Sequence, residues 1–398
     1  MKLLECNREL RKELHECRRY HDYHGEDWLF MTVADGDFKL TPAIREALIN
    51  KVDAGNLVYS YFDEQLYQAI KNWYLKRYNL ELKLEEIIHG NGVMHLMQVG
   101  IETFSAPGDG VIIQTPVYEP FLEVIEHKKR KVIMNKLIYN SKAQHYEIDF
   151  KDLEEKLKDP VNKILILCSP HNPVGRVWTE TELQNIYQLV KKYNKIIISD
   201  EIWQDIVYQP YHHHPMFSME KDSNSDVPII TLSSQGKTYN LGGLQYGYAI
   251  IKDPEIRIKF AEMLQAQIHY ASNNVLTSIA VCSGYNDPEA YEWYQEYLSA
   301  LWTNYQYIKN ELEKHTKIKV INSEGTYLVW LDLSFYCQDD KDVTKYLNQA
   351  RILANEGIDY GQEYCQFVRI NYATHFIHIK SCVERLVRVF SSSEGEMK

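Results

Sequence analysis

The period of the apolar positions changes along this chain, and the changes mark out its elements. Short β-branched runs recur through the middle: Ile87-Ile88, Val111–Gln114, Lys163–Cys168, Lys195–Ser199 and Ile229–Ser233. Near-continuous apolar runs of this kind predict strands buried on both faces, as in a parallel sheet. Between them the period lengthens. After Lys163–Cys168, Thr179 and Glu182 form a Thr-x-x-Glu capping box, and Leu183, Ile186, Tyr187 and Val190 follow at helical spacing. A right-handed crossover through that helix places both flanking strand ends on one edge of the sheet. This alternation, from about residue 85 to 250, predicts an α/β domain.

Beyond it, residues 288–315 predict a helix, and Thr326–Leu333 and Phe367–Asn371 predict strands of a second, smaller lobe. Residues 1–30 are polar, charged and aromatic, and predict a helix packed on another lobe. There is no internal repeat and no low-complexity linker. The expected organisation is a large domain over 48–285 and a discontinuous small α+β domain formed by 1–47 and 286–398.

Composition narrows the partners. A chain of 398 residues with 45% hydrophobic and 25% charged content reads as an ordinary soluble globular protein with a large core. The net charge of −11 argues against nucleic acid or an anionic membrane as partner. No stretch is apolar enough to span a bilayer, and the start, Met1–Cys6, lacks the apolar core of a signal peptide. The seven cysteines carry no C-x-x-C pair, which fits a reducing cytoplasm with each cysteine a small buried hydrophobe. His212-His213-His214 is the one tempting metal motif. Three consecutive residues rarely converge on one ion, so a solvated loop and no metal are expected there.

The chemistry gathers at the C-terminal ends of the predicted strands, where open α/β sheets bind ligands. Asn172 follows one strand, Asp200 the next, and Lys237 the third, after Ser233-Ser234-Gln235-Gly236. An amine, an acid and an amide converging on one crevice suit a carbonyl cofactor with a basic ring nitrogen, which points to pyridoxal phosphate. Lys237 is then the Schiff-base lysine and the base for the substrate Cα proton. The bland alternative, a solvated surface lysine, is weakened by the buried strand before it. Asp200 would keep the ring nitrogen protonated. Its alternative is a helix cap. Asn172, in a Pro-flanked turn, would donate to the cofactor's ring oxygen, or simply belong to the turn. Gly92, Val93 and Met94 open a helical stretch after Ile87-Ile88, and backbone N–H groups at such a start suit a phosphate. Ser234 would add a hydroxyl to it. Tyr118 would supply a stacking face, although with 30 tyrosines packing is the default. Arg369, inside the apolar run Phe367–Ile370, wants a carboxylate, either the substrate's or a structural Asp or Glu.

These residues resemble a known family. Ser169-Pro-His-Asn172-Pro-Val-Gly, Ser199-Asp200-Glu201-Ile202 and Ser234-x-x-Lys237 resemble the fold-type I, aminotransferase-like pyridoxal-phosphate enzymes. Ala34-Asp35-Gly36-Asp37-Phe38, Thr115-Pro-Val-Tyr118, Lys237-Thr-Tyr-Asn240, Gly325–Asp332 and Phe367–Asn371 resemble the MalY/PatB subgroup of cystathionine β-lyases. The likeness runs from about residue 31 to 375. It implies a large domain with a mostly parallel sheet between helices, plus a smaller α+β domain. It also implies a homodimer with shared active sites, in which Tyr61 reaches the cofactor phosphate of the neighbouring subunit. Asn172 and Arg369 would contact the amino-acid substrate. Gln245 stands where many aminotransferases carry a phosphate-binding Arg, a loss similar to the C–S lyases. Trp203 and Gly36 depart from the subgroup's usual His and Met. The segment 358–366 is shorter than the usual substrate loop, and the usual Pro-Arg is absent at Thr374-His375-Phe376.

The expected activity is α,β-elimination on a cystathionine- or cysteine-like amino acid, giving a thiol, pyruvate and ammonia. Two alternatives share the same cofactor set: an aminotransferase, and a specialised enzyme for β/γ-elimination, replacement or cyclisation. A non-catalytic regulator is disfavoured because Lys237 is present and no DNA-binding appendage is visible.

Overall fold

The structure is a computed structural model that describes residues 3–6, 18, 27–61, 64–220, 227–267 and 274–396. Seven strands form its main sheet: β1 (Ile87–Gly90), β2 (Gly110–Thr115), β3 (Lys131–Lys136), β4 (Asn162–Cys168), β5 (Ile196–Asp200), β6 (Ile229–Ser233) and β7 (Gly247–Ile250). Their order is β1-β7-β6-β5-β4-β2-β3. β7 runs antiparallel to β1 and β6, and the other neighbours are parallel.

The apolar runs are continuous because both faces are covered. Successive side chains leave a strand on opposite sides. Ile164 and Ile166 of β4 therefore join the core built on helix α1 (Val93–Phe104). Leu165 and Leu167, one residue out of phase, join the core that holds Leu183, Ile186 and Val190 of helix α2 (Glu180–Lys192). The capping box closes as expected: Glu182 N donates to Thr179 Oγ1 at 3.2 Å, and Thr179 N donates to Glu182 Oε2 at 2.8 Å.

The helix expected over 288–315 is α3 (Pro288–His315). It packs near a second sheet of β8 (Lys319–Val320), β9 (Leu328–Asp332), β10 (Asn355–Glu356) and β11 (Phe367–Asn371), in the order β8-β9-β11-β10 and antiparallel throughout. β9 starts two residues later than expected, since Thr326 takes a left-handed φ of 68°. Of the helix expected in 1–30, residues 1–2, 7–17 and 19–26 lie outside the described residues. Leu29–Phe30 is instead a short strand, paired in parallel with Ile352–Leu353. The Asn371 N–H donates to Met31 O at 2.8 Å, joining this segment to β11.

The histidine run corrects the sequence expectation. His213 is buried, and its Nε2 lies 2.9 Å from Glu201 Oε2, which is fully enclosed. Glu201 follows β5 and is fully buried, where its carboxylate needs donors. The backbone of Met216 and the hydroxyl of Ser199, both at 2.8 Å, are the others. His212 stays exposed, so one histidine of three is structural. Cys168, Cys337 and Cys382 are buried, whereas Cys6, Cys282 and Cys365 are only partly so. Among the described residues no helix is long and apolar enough to cross a membrane.

Candidate active site

The register of the sheet brings the strand-end residues together. Cys168 at the end of β4 is the pairing partner of Asp200 at the end of β5, and Asp200 pairs with Leu232 of β6. The ends are therefore nearly flush. Asn172 comes back over this edge because the turn after β4 is pinned. His171 is buried and its Nε2 lies 2.8 Å from Pro116 O, while Trp178 Nε1 donates to Cys168 O at 2.9 Å. Lys237 leaves β6 through a turn that Ser234 closes, its Oγ accepting from Gly236 N at 3.0 Å.

Asn172, Asp200 and Lys237 line one cavity of about 570 Å³. Gly92, Val93 and Met94 line it at the start of α1, with Tyr118 and Ser234. The first N–H groups of α1 have no partner within the helix and carry its positive end. Gly92 takes φ of 88°, a conformation glycine adopts without strain. A Cβ on Gly247 of β7 would lie 2.8 Å from Gly92 C and Val93 N, so the sheet presses closely on this turn. Gln245 faces the same turn with its amide folded back onto Gly242 O at 2.9 Å.

Asp200 is buried, and its Oδ1 accepts from Ile202 N at 3.0 Å. It caps a tight turn, not a helix. Burial lifts its carboxyl to about 7, against the pull of that N–H and of the nearby Lys237 cation. The Lys237 amine donates to Ala34 O at 2.5 Å and sits 5.3 Å from the Trp203 ring.

Arg369 stands behind Asn172. It is 3% exposed, and its Nη1 donates to Asn172 Oδ1 at 3.2 Å and its Nη2 to Asn355 Oδ1 at 2.7 Å. Its Nε is buried without a hydrogen-bond partner. No structural carboxylate of the described residues bonds it. Asp359 and Glu119 act on it only through space. Tyr61 lies outside the cavity and is 92% exposed.

The cavity wall also includes Ala34, Cys168, Ile202 and Trp203, to which sequence reasoning assigned no site role. Ile202 and Trp203 had a signal, since they follow Asp200-Glu201 directly. Ala34 had none. Two distant amides bring it there: Asn240, bonded to Gly36 N at 2.8 Å and Gly36 O at 2.9 Å, and Asn371, bonded to Asp35 O at 2.7 Å.

The donor set fits a flat, phosphorylated ring with a basic nitrogen. A buried carboxyl suits a ring N–H, the N–H groups of α1 suit a phosphate, and the buried Arg369 Nε suits an anion.

The model of the family "Aminotransferase class I and II" matches residues 27–378. The chain belongs to this family. Among its relatives is cystathionine β-lyase PatB of Bacillus subtilis, 31% identical over 370 residues that span 92% of this chain and 93% of that protein. Protein MalY of Escherichia coli is 30% identical over 348 residues, 87% of each chain. Cystalysin of Treponema denticola, whose crystal structure contains pyridoxal 5'-phosphate, superposes with a TM-score of 0.89 at 31% identity, over 97% of this chain and 98% of that one. The architecture is that of the fold-type I enzymes, with a mostly parallel central sheet between helices, as the sequence led one to expect.

Proposed function

We propose that this protein is a pyridoxal-phosphate-dependent carbon–sulfur lyase acting on cystathionine- or cysteine-like amino acids. The observation that carries the cofactor is the convergence of Lys237, Asp200 and Asn172 on one cavity that the start of α1 closes. The likeness to cystathionine β-lyase PatB, 31% identical, against 24% for a probable aspartate aminotransferase of Methanocaldococcus jannaschii, supports the lyase reading over transamination.

Bound there, pyridoxal phosphate would supply a carbonyl group for the substrate amine and an electron sink for the pair at Cα. The chain does the rest. Gly92, Val93, Met94 and Ser234 hold the phosphate, and Tyr118 covers a ring face. Asp200 keeps the proton on the ring nitrogen, whose positive charge in turn stabilises the buried carboxylate. Asn172 donates to the ring oxygen through its amide nitrogen while its oxygen accepts from Arg369. Arg369 and Asn172 orient the α-carboxylate, so that the Cα–H bond points at Lys237. Lys237 takes that proton, and the Cβ–S bond breaks with its electron pair on sulfur. The sulfur leaves as a thiol, and the released aminoacrylate tautomerises to an imine that water hydrolyses to pyruvate and ammonia.

The dimer belongs to the same reading. Leu57, Val58, Tyr59 and Tyr61 are 56%, 65%, 96% and 92% exposed, an apolar run without cover in one chain. A second copy covers it, and Tyr61 reaches the partner's phosphate site. The scattered cysteines, without a C-x-x-C pair, support a reducing cytoplasm as its compartment. Residues 48–285 are the large domain, and 1–47 with 286–398 the small one.

The test uses purified protein loaded with cofactor. Cystathionine should yield thiol and pyruvate, and Lys237→Ala should abolish both the imine absorbance and turnover, a loss of at least about 10²-fold. Amino-group exchange with a keto acid, without thiol release, would make it an aminotransferase instead.

A further inference from the structure

Two aromatic residues outside the expected constellation meet the reacting amine. The Trp203 ring lies 5.3 Å from Lys237 Nζ. Tyr327 stands edge-to-face with Trp203, centroids 4.6 Å apart and planes at 80°. The Tyr327 hydroxyl donates to Ala34 O at 3.0 Å, the same carbonyl that accepts from Lys237 Nζ at 2.5 Å. Both aromatic residues are almost fully buried, at 3% and 1% exposure. The carbonyl cannot drift, because Asn371 donates to the Val33 carbonyl before it and to the Asp35 carbonyl after it, and Asn240 holds Gly36 beyond.

We propose that Trp203 and Tyr327 are positioning residues that form, with the Ala34 carbonyl, a cradle for the Lys237 amine once the substrate has displaced it. This rests on the lyase reading above. The cradle offers an aromatic face and a carbonyl oxygen, and both attract an ammonium. Neither takes a proton from it. An imidazole in place of the indole would compete for the proton and, when charged, repel the ammonium. The transfer balances within the pocket. The Cα–H pair stays on carbon and forms the bond to Cβ, and the proton goes to the Nζ lone pair. The Cβ–S pair leaves on sulfur, and the ammonium returns the proton to that sulfur. The indole face keeps water from intercepting it.

The test reads the amine directly, in protein freed of cofactor. A limiting amine-reactive label is applied across pH, and the labelled fraction of the Lys237 peptide is measured by mass spectrometry. Titratable or charged groups of the same cavity are Arg18, His95, Tyr118, Cys168, Asp200 and Tyr246, with Asp35 and Tyr327 beside the Ala34 carbonyl. Tyr327→Phe deletes one of these, but the others are common to all variants, so their titration largely cancels. Trp203→Leu should lower the inflection by up to about one pH unit, whereas Tyr327→Phe, which leaves the Ala34 carbonyl to the amine alone, should raise it by up to about as much. Trp203→Phe, which keeps an aromatic face, should restore most of what Trp203→Leu loses. In the loaded enzyme the first two should reduce kcat by about tenfold and leave KM within a factor of about two, since substrate binding lies with Arg369. If Trp203→Leu does not fold, Tyr327→Phe decides alone. An inflection unchanged from wild type in folded Tyr327→Phe overturns the cradle. Failure of the wild type to take up the cofactor overturns the lyase reading instead, and the labelling result stands apart from it.

Discussion

Arg369 Nη1 donates to Asn172 Oδ1 across 3.2 Å, so the guanidinium of the small sheet is tied to the strand-end turn of the large one. The contact fixes the amide: with its oxygen turned to Arg369, Asn172 has its nitrogen left to donate into the cavity. One bond thereby couples the group proposed to hold the substrate to a group proposed to hold the cofactor.

Arg369→Lys should raise KM and also lower kcat, because the charge remains while the planar fork and the link to Asn172 are lost. Arg369→Ala should cost more, about 2–5 kcal/mol of transition-state stabilisation. Cofactor absorbance should survive in both. The check is kcat/KM for an amino acid against its α-amide. Persistence of the acid's advantage in the Ala variant would place the carboxylate elsewhere.

Asp200 makes a prediction about pH. Its carboxyl is lifted by burial from the ordinary 3.8 to about 7. Between those values the folded, cofactor-free protein holds a proton that the unfolded chain has released. Stability should therefore fall as pH rises through that window and level off above it, a loss on the order of 4 kcal/mol. Asp200→Asn should flatten this slope in thermal melts of the cofactor-free protein. In the loaded enzyme it should slow turnover by more than about tenfold, since an amide no longer holds the ring proton. A slope equal to wild type would assign the pH dependence to other groups.

The enclosed pair of Glu201 and His213, 2.9 Å apart, should matter for folding and not for chemistry. Glu201→Ala strands the Met216 N–H and His213 together and should cost about 3 kcal/mol or more. Denaturant midpoints measure it. His212→Ala, at an exposed position, should be close to neutral.

Gly36 is held by crowding. A Cβ there would lie 3.1 Å from Tyr297 Oη and 3.6 Å from Asn240 Cγ. Gly36→Met, the residue usual in the subgroup it resembles, should destabilise by about 1–3 kcal/mol. Tyr297→Phe in the same chain should recover part of that by removing the hydroxyl. Equal melting temperatures for Gly36→Met and wild type would show that the segment yields freely.

The sequence by itself determined the α/β alternation, the capped helix α2 and the strand-end order Asn172, Asp200, Lys237. These depend on local period and on small polar residues following apolar runs, and neighbours in sequence carry that information. It also carried the glycine turn before α1, since an exposed N–H row follows from any helix start. Tertiary structure alone decided the rest. Strand register makes Cys168 and Asp200 partners, and no local pattern encodes register between strands 32 residues apart. The Ala34 carbonyl meets Lys237 only because two distant asparagines pin its segment. Arg369 finds amides where a carboxylate seemed needed, because β11 lies beside β10 and faces the turn after β4. The histidine run misled for the same reason: whether a loop residue is solvated depends on what it packs under, and His213 packs against a buried Glu201 that its own neighbours in the chain do not reveal.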